Sequence, residues 1–329
     1  MTQGFSSRNS RFARTTGLVT AVAAAGTAAW VTGRARAAEE RHPPSGKFVE
    51  ADGVRVHYVE RGQGDCVVLL HGNVVMGQDF VTSGVFRSLA GRHRVVAFDR
   101  PGFGYTARPR DRLWTPDAQA ELLIKAFATL GIDRPVVVAH SWATLVAIAL
   151  GLRNASKKLV LVSGYYFPSP RLDAALVAPI AVPVIGDALR YTVSALFARV
   201  MLHRTIEKMF APDPVPGRYE ELVPRELMLR PVQLRADAEE GALLVPAAAR
   251  YENRYSTLTV PTEIIAGSED QVSDPDDHSA RLHRVVPEST LKIVPGSGHM
   301  LHHPYGDEVV AAVDGNRFES SDLAEKEFQ

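Results

Sequence analysis

A single cysteine, Cys66, stands in the 329 residues, so no disulfide can form within the chain. Its place at the head of an apolar run reads as a buried structural thiol. Charge of one sign is lacking too: 37 Lys and Arg balance 37 Asp and Glu. Without a basic stripe or an acidic tract, nucleic acid is not an expected partner. No set of histidines and cysteines has zinc-ligand spacing. His302 and His303 follow His299 closely, but neighbouring side chains point in different directions, and neither a metal nor another cofactor is expected. Acidic residues are missing altogether before Glu39. In that acid-free leader Arg8, Arg11 and Arg14 precede an alanine-rich apolar run, Gly17 to Val31, and Arg34, Arg36 and Arg41 follow it.

The leader has the anatomy of a secretory signal or an N-terminal membrane anchor. Its apolar run is near the lower length limit of a spanning helix, about 17 residues, and Trp30 at its end suits a membrane interface. The favoured expectation is an uncleaved anchor that attaches the protein to a membrane through residues 16–33. The alternatives are export after signal cleavage near Ala37, at Ala35-Arg36-Ala37, and a transit peptide or disordered leader. Arginine on both flanks leaves orientation open. Residues 32–46, with Pro43-Pro44, read as a tether. The chain then divides into a leader (1–46), a folded domain (47–315) and a polar tail (316–329).

The folded domain alternates strands and helices. Lys47–Glu50 and Val54–Glu60 read as a hairpin around Asp52-Gly53. The unbroken apolar run Val67–Leu70 and the stretches Arg94–Phe98, Pro135–Ala139 and Leu159–Val162 read as buried strands. Helices are expected over Gln78–Ala90 and after Thr115, an N-cap with Pro116 in the first position. Regularity fails between about Gly164 and Thr259, where ten prolines separate amphipathic pieces such as Asp187–Leu202 and Glu226–Leu244. That segment reads as a helical insertion lying over the end of the sheet, a lid. The alternation then resumes with a strand ending at Ala266, a helix capped by Asp274 and Pro275, a last strand Leu291–Val294 and a closing helix from about Tyr305 to Val313. Strands that alternate with helices imply a mostly parallel sheet covered by helices.

The stretch Val136-Val137-Val138-Ala139-His140-Ser141-Trp142-Ala143 is the chemical centre of the sequence. A buried strand runs straight into a serine and on into a helix. Glycine is absent two residues before and two after Ser141, but both positions, Ala139 and Ala143, hold alanine, and a nucleophile in a strained turn demands small residues there. The stretch resembles the nucleophile elbow of the α/β-hydrolase superfamily, usually Gly-x-Ser-x-Gly. Other landmarks of that fold occur in register: His71-Gly72 after the third strand, Asp99…Gly102…Gly104 after the fourth, Asp270 after the strand following the insertion, and Gly298-His299 after the last. Over residues 47 to about 315 the chain is similar to lidded members of this superfamily, both haloalkane dehalogenase-like and esterase-like.

The resemblance implies an enzyme with an α/β-hydrolase fold and a triad of Ser141 as nucleophile, His299 as base and Asp270 as the acid that orients it. Glu269 and Asp274 are rivals to Asp270. No acid stands after the preceding strand, in Gly164-Tyr165-Tyr166. The backbone N–H of Trp142, at a helix start, and that of Asn73 are the expected oxyanion donors. His140 reads as a packing residue. The pairing of Asn73 with Trp142 is similar to haloalkane dehalogenases, where those side chains hold halide, but such enzymes use an aspartate nucleophile. Serine attack on an alkyl carbon would leave an ether that water cannot cleave. The Ser-Trp pair is also similar to proline iminopeptidases, whose glycine-rich oxyanion loop is absent here. The expected activity is therefore hydrolysis of a small or medium carboxylic ester, with a small-molecule acyl substrate. A cofactor-free perhydrolase or carbon–carbon hydrolase is the enzymatic alternative, and a non-catalytic ligand receptor the alternative of another class.

Overall fold

The computed structural model of the chain describes residues 4–170, 178–217 and 219–315, and the expected polar tail, 316–329, lies outside them. Eight strands form one sheet: β1 (Lys47–Ala51), β2 (Val54–Arg61), β3 (Cys66–Leu70), β4 (Arg94–Phe98), β5 (Val136–His140), β6 (Lys158–Val162), β7 (Thr262–Gly267) and β8 (Ser289–Val294). Their order is β1-β2-β4-β3-β5-β6-β7-β8, and β2 alone runs against the rest. The hairpin turns at Asp52 and Gly53 with φ of 52° and 72°, the left-handed pair that a tight β-hairpin requires.

Successive residues of a strand point to opposite faces, and the apolar strands here feed two separate cores. Val68, Leu70, Val137, Ala139, Leu159 and Leu161 pack on one face. Val67, Leu69, Val136, Val138, Val160 and Val162 pack on the other. This is why the inner strands read as unbroken apolar runs. Chain order reverses between β3 and β5. The loops leaving β3 and β5 therefore depart to opposite sides and open a crevice at the carboxyl edge of the sheet.

The helices before the insertion are α1 (Gly4–Arg41), α2 (Gln78–Thr82), α3 (Val85–Ala90), α4 (Pro116–Thr129) and α5 (Ala143–Gly151). The single helix expected over Gln78–Ala90 is two, interrupted at Gly84, whose φ of 89° is incompatible with a continuing helix. Thr115 caps α4 as expected, its hydroxyl accepting the Ala118 N–H at 3.2 Å. Between β6 and β7 lie α6 (Ile185–Arg190), α7 (Val193–Phe210), α8 (Tyr219–Leu222), α9 (Arg225–Met228) and α10 (Pro231–Glu252), with no strand among the described residues. The expected pieces Asp187–Leu202 and Glu226–Leu244 are thus each broken in two. Asp274 caps the turn after β7, its carboxylate accepting the N–H groups of Asp276 and Asp277 at 2.9 and 3.0 Å. A π-helical stretch, Asp276–Ala280, leads from there into α11 (Arg281–Val285). α12 (Gly306–Asp314) closes the described chain.

The leader departs most from expectation. The tether expected over residues 32–46 is helix as far as Arg41, because Ala35 to Arg41 consists of strong helix formers and the first breaker is Pro43. α1 docks on the insertion. Ala38 is buried with Leu202, Ile206, Met228 and Leu229, and Val31, two turns earlier, is buried as well. Arg34 pairs with Glu226 at 2.6 Å and Glu39 with Arg230 at 2.8 Å. The Tyr105 hydroxyl donates to the carbonyl of His42.

Candidate active site

Ser141 sits where β5 turns into α5, with φ at 55°. A non-glycine residue occupies that region only when its surroundings fix it. Here its N–H donates to Val162 O at 2.9 Å, and its own carbonyl accepts the Thr144 N–H at 3.0 Å and the Thr144 hydroxyl at 2.6 Å. Ala139 and Ala143 expose no surface. The tightest approach lies across the crevice: a Cβ on Gly72 would meet His140 Nδ1 at 2.8 Å and Ser141 Cβ at 3.0 Å. The elbow thus tolerates alanine at its flanks but needs the glycine of His71-Gly72.

The loops after β7 and β8 bring two further residues to this point. Ser141 Oγ lies 2.9 Å from His299 Nε2, and His299 Nδ1 lies 2.8 Å from Asp270 Oδ2. The other carboxylate oxygen of Asp270 accepts the N–H groups of Val272 and Ser273 at 2.8 and 2.9 Å. Of the rivals, Asp274 is occupied as a helix cap, and Glu269 points to solvent. Close packing holds the loops together, since a Cβ on Gly267 would lie 2.2 Å from Ser297 O and one on Gly298 2.0 Å from Ala211 O.

His140 is buried beside His299, with ring centroids 4.8 Å apart, and its Nε2–H donates to His299 O at 3.0 Å. Burial and its histidine neighbours hold its pKa well below the usual range, so it is a neutral brace for the His299 loop. Behind it lies a group that sequence spacing did not reveal. Asp79, from α2, accepts His302 Nε2–H at 2.7 Å, His303 Nε2–H at 2.9 Å and the Tyr219 hydroxyl at 2.9 Å. These three His and Asp side chains have ligand atoms within 4.8 Å of one another and are the residues that could hold a cation among the described residues. Their N–O separations are those of direct hydrogen bonds, and the group ties α2 and the insertion to the His299 loop. Against the cost of burial, the two imidazoles hold Asp79 ionised, well below the ordinary carboxylate range.

The loop after β3 carries Asn73. The N–H groups of Asn73 and Trp142 have no hydrogen-bond partner among the described residues. Arg100, fully buried, braces this loop by donating to His71 O at 2.7 Å, Gly72 O at 3.0 Å and Asn73 Oδ1 at 2.9 Å. Its charge is met by Glu240 of α10 at 2.6 Å. His71 accepts the Arg100 N–H on Nε2 and donates from Nδ1 to Gly72 O. Burial, and then the Arg100 charge, push its pKa down to about 3, which fixes that neutral tautomer. Val74 is β-branched yet has φ of 70°. α10 holds it there: its N–H donates to Asp237 Oδ1 at 3.0 Å and its carbonyl accepts from Gln233 at 2.8 Å. The Trp142 indole N–H donates to Glu240 O at 3.0 Å. Of the two side-chain donors that would hold a halide, the Trp142 indole N–H is therefore engaged elsewhere.

Asp99, half of the second landmark, is structural. Its carboxylate accepts the N–H groups of Gly77 and Tyr105 at 2.8 Å each and His57 Nδ1–H at 2.7 Å. A Cβ on Gly104 would fall within 1.9 Å of it, which explains why glycine follows at that spacing. Cys66 is half-buried and free, its thiol pushed up to about 11 by burial.

A sheet with one reversed strand, a serine on a strained strand–helix turn and a histidine and carboxylate delivered from later loops define a class. Residues 65–304 match the family model for the α/β hydrolase fold, and the chain belongs to that family as an α/β-hydrolase enzyme. Its relatives include haloalkane dehalogenase 2 of Mycobacterium tuberculosis, 25% identical over 285 residues that span 83% of this chain and 94% of that one. Among solved structures it is similar to a thermophilic esterase from Thermogutta terrifontis, with a TM-score of 0.65 at 20% identity, covering 82% of this chain and 97% of that one. A bacterial membrane phospholipase A has a TM-score of 0.63 at 20% identity and covers 93% of this chain and 98% of that one. Residues 47–329 are 283 of 329 residues, or 86%, so the last match reaches into α1.

Proposed function

We propose that the protein is a serine hydrolase that cleaves a carboxylic ester, of small or medium size as the sequence led us to expect, through an acyl-enzyme. The observation that carries this reading is the relay from Ser141 Oγ to His299 Nε2, 2.9 Å, and from His299 Nδ1 to Asp270, 2.8 Å. Ser141 Oγ attacks the ester carbonyl while its proton passes to His299 Nε2. The tetrahedral oxyanion lies against the N–H groups of Asn73 and Trp142. The C–O bond to the alcohol breaks as His299 returns the proton to it. Water, deprotonated by His299, then attacks the acyl-serine, and the acid leaves as His299 returns that proton to Ser141 Oγ. Asp270 holds the imidazole with Nε2 toward Ser141 and stabilises its charged form. Dehalogenase chemistry is disfavoured on the same grounds. A serine ether would be a dead end, and the indole N–H of Trp142 already has a partner.

We read the insertion as a lid, since α10 props the Asn73-Val74 loop. We read α1 as an uncleaved membrane anchor. It is long and apolar enough over Thr15–Arg41 to cross a membrane. Cleavage near Ala37 would strip Val31 and Arg34 from their sites on the insertion. A fluorophosphonate tests the catalytic reading: it should label the full-length protein at Ser141. Labelling that survives Ser141→Ala would refute the assignment.

A further inference from the structure

We propose that the outer face of the insertion, from Val182 to Val200, lies in the lipid bilayer beside α1. Sixteen large apolar side chains are exposed among the described residues. Four of them lie on α1 and eight between Val182 and Val200. A soluble surface scatters such residues singly.

α7 carries the argument. Ala195, Leu202, Ile206 and Met209 are buried on its inner face. Its outer face in the first half is equally apolar, with Val193, Leu196, Phe197 and Val200 exposed by 67, 45, 66 and 75%. Their spacing of i, i+3, i+4 and i+7 makes them one stripe. A surface helix in water places polar residues on its outer face. α7 does so only after Val200, where His203, Arg204, Glu207 and Lys208 are exposed.

α1 changes character at the same level. Leu18, Val19 and Val22 are exposed on its first half, within the uncharged run between Arg14 and Arg34, and after Trp30 charge resumes with Arg34. Leu196 borders a groove with Ala23, Gly26, Thr27 and Trp30 of α1, so the two apolar surfaces are continuous. The junction is marked by Arg199, which lies over the Trp30 ring at 5.2 Å and shares Glu226 with Arg34, each at 2.6 Å. Aromatic and arginine side chains at one level, with apolar surface on one side and charge on the other, describe a membrane–water boundary. Below it Val182, Val184 and Ile185 extend the apolar face, while Asp187 is neutralised by Arg110 and Arg190. From there α7 rises about 27 Å to Phe210 and Ala211, which abut the loop of His299. One element therefore joins the lipid to the site.

This inference rests on reading α1 as an anchor, and the test separates the two. With Cys66→Ala removing the native thiol, single cysteines at Val22, Val200 and, as a solvent reference, Arg87 are labelled with an NBD fluorophore. The full-length protein is placed in phosphatidylcholine–phosphatidylglycerol vesicles containing lipids with a nitroxide on the acyl chain. Severalfold quenching at positions 22 and 200, with none at 87, is expected. Quenching at 22 alone keeps the anchor and overturns the docked insertion. Quenching at neither overturns both. A probe at 200 that lipid nitroxides do not reach, but that transfers energy between differently labelled copies, assigns the face to a second copy of the chain and also overturns the proposal. Phe197→Cys replaces Val200→Cys if the latter lowers the unfolding midpoint.

Discussion

Ser141 is held in the left-handed region by hydrogen bonds to Val162 and Thr144, and its reactivity is expected to depend on groups that act as a unit. Ser141→Ala and His299→Ala should each lower kcat for ester hydrolysis by a factor on the order of 10⁴ or more, with the double variant little worse. Asp270→Asn should cost somewhat less, and a variant with near-normal turnover there would shift the acid role to another residue. Ala143→Val should reduce turnover about 100-fold, since displacing Ser141 by ~1 Å spoils its geometry. Asp237 offers a test in pH. Burial, outweighing the Val74 N–H, raises its pKa from 3.8 to about 6. Between those values the folded state holds a proton that the unfolded chain has released, so this residue's contribution to stability is lost as pH rises through that window and is constant above it. Asp237→Asn keeps the bond to Val74 and removes the penalty. Asp237 retains some exposed surface, so the gain of the variant over the parent should grow by only about 1–2 kcal/mol from pH 4 to pH 7. Denaturant unfolding at both values measures it, and a constant difference would mean that Asp237 titrates alike in the folded and unfolded chain.

At the scale of elements, the strands were legible and the struts were not. Sheet strands covered on both faces write apolar runs such as Val67–Leu70 and Val136–Val138, and the landmarks Gly72, Ser141, Asp270 and His299 follow those runs at once. The groups that hold the landmarks left no local pattern. Arg100 meets Glu240 across 140 residues and Asp79 meets His302 across 223, separations that no local pattern records. Arg34 and Arg36 read as the polar flank of an apolar run, because propensity favours a helix as far as Arg41 but does not say that Arg34 would find Glu226. Docking of α1 carries its own expectation. A chain beginning at Ser45 uncovers Leu202, Ile206, Met228 and Leu229, which Ala38 and its neighbours cover. It should lose about 2–3 kcal/mol of stability and tend to associate. Urea unfolding of both forms in the same detergent would show this, and equal stability would reduce the contact to mere proximity.

Across the whole molecule, the apolar surfaces of α1 and of the insertion adjoin, and α7 carries the insertion on to the His299 loop. If the insertion sits in the bilayer, esters dissolved in lipid reach the site by a route that water-soluble esters do not need. Phe197→Asp combined with Val200→Asp places two carboxylates on the exposed stripe, far from Ser141. Each costs up to about 2.5–3.5 kcal/mol at the bilayer centre and less toward the interface, while in water such exposed changes cost little. The variant should therefore hydrolyse p-nitrophenyl butyrate in solution at nearly the parent rate, because the hydrogen bonds among Ser141, His299 and Asp270 are untouched. Its rate on a long-chain acyl ester carried in phosphatidylcholine vesicles should fall severalfold, with the protein still attached through α1. Flotation with the vesicles checks that attachment in the same sample. An equal fall on both substrates would trace the effect to damaged folding. No fall on either would mean that the stripe plays no part in delivering substrate.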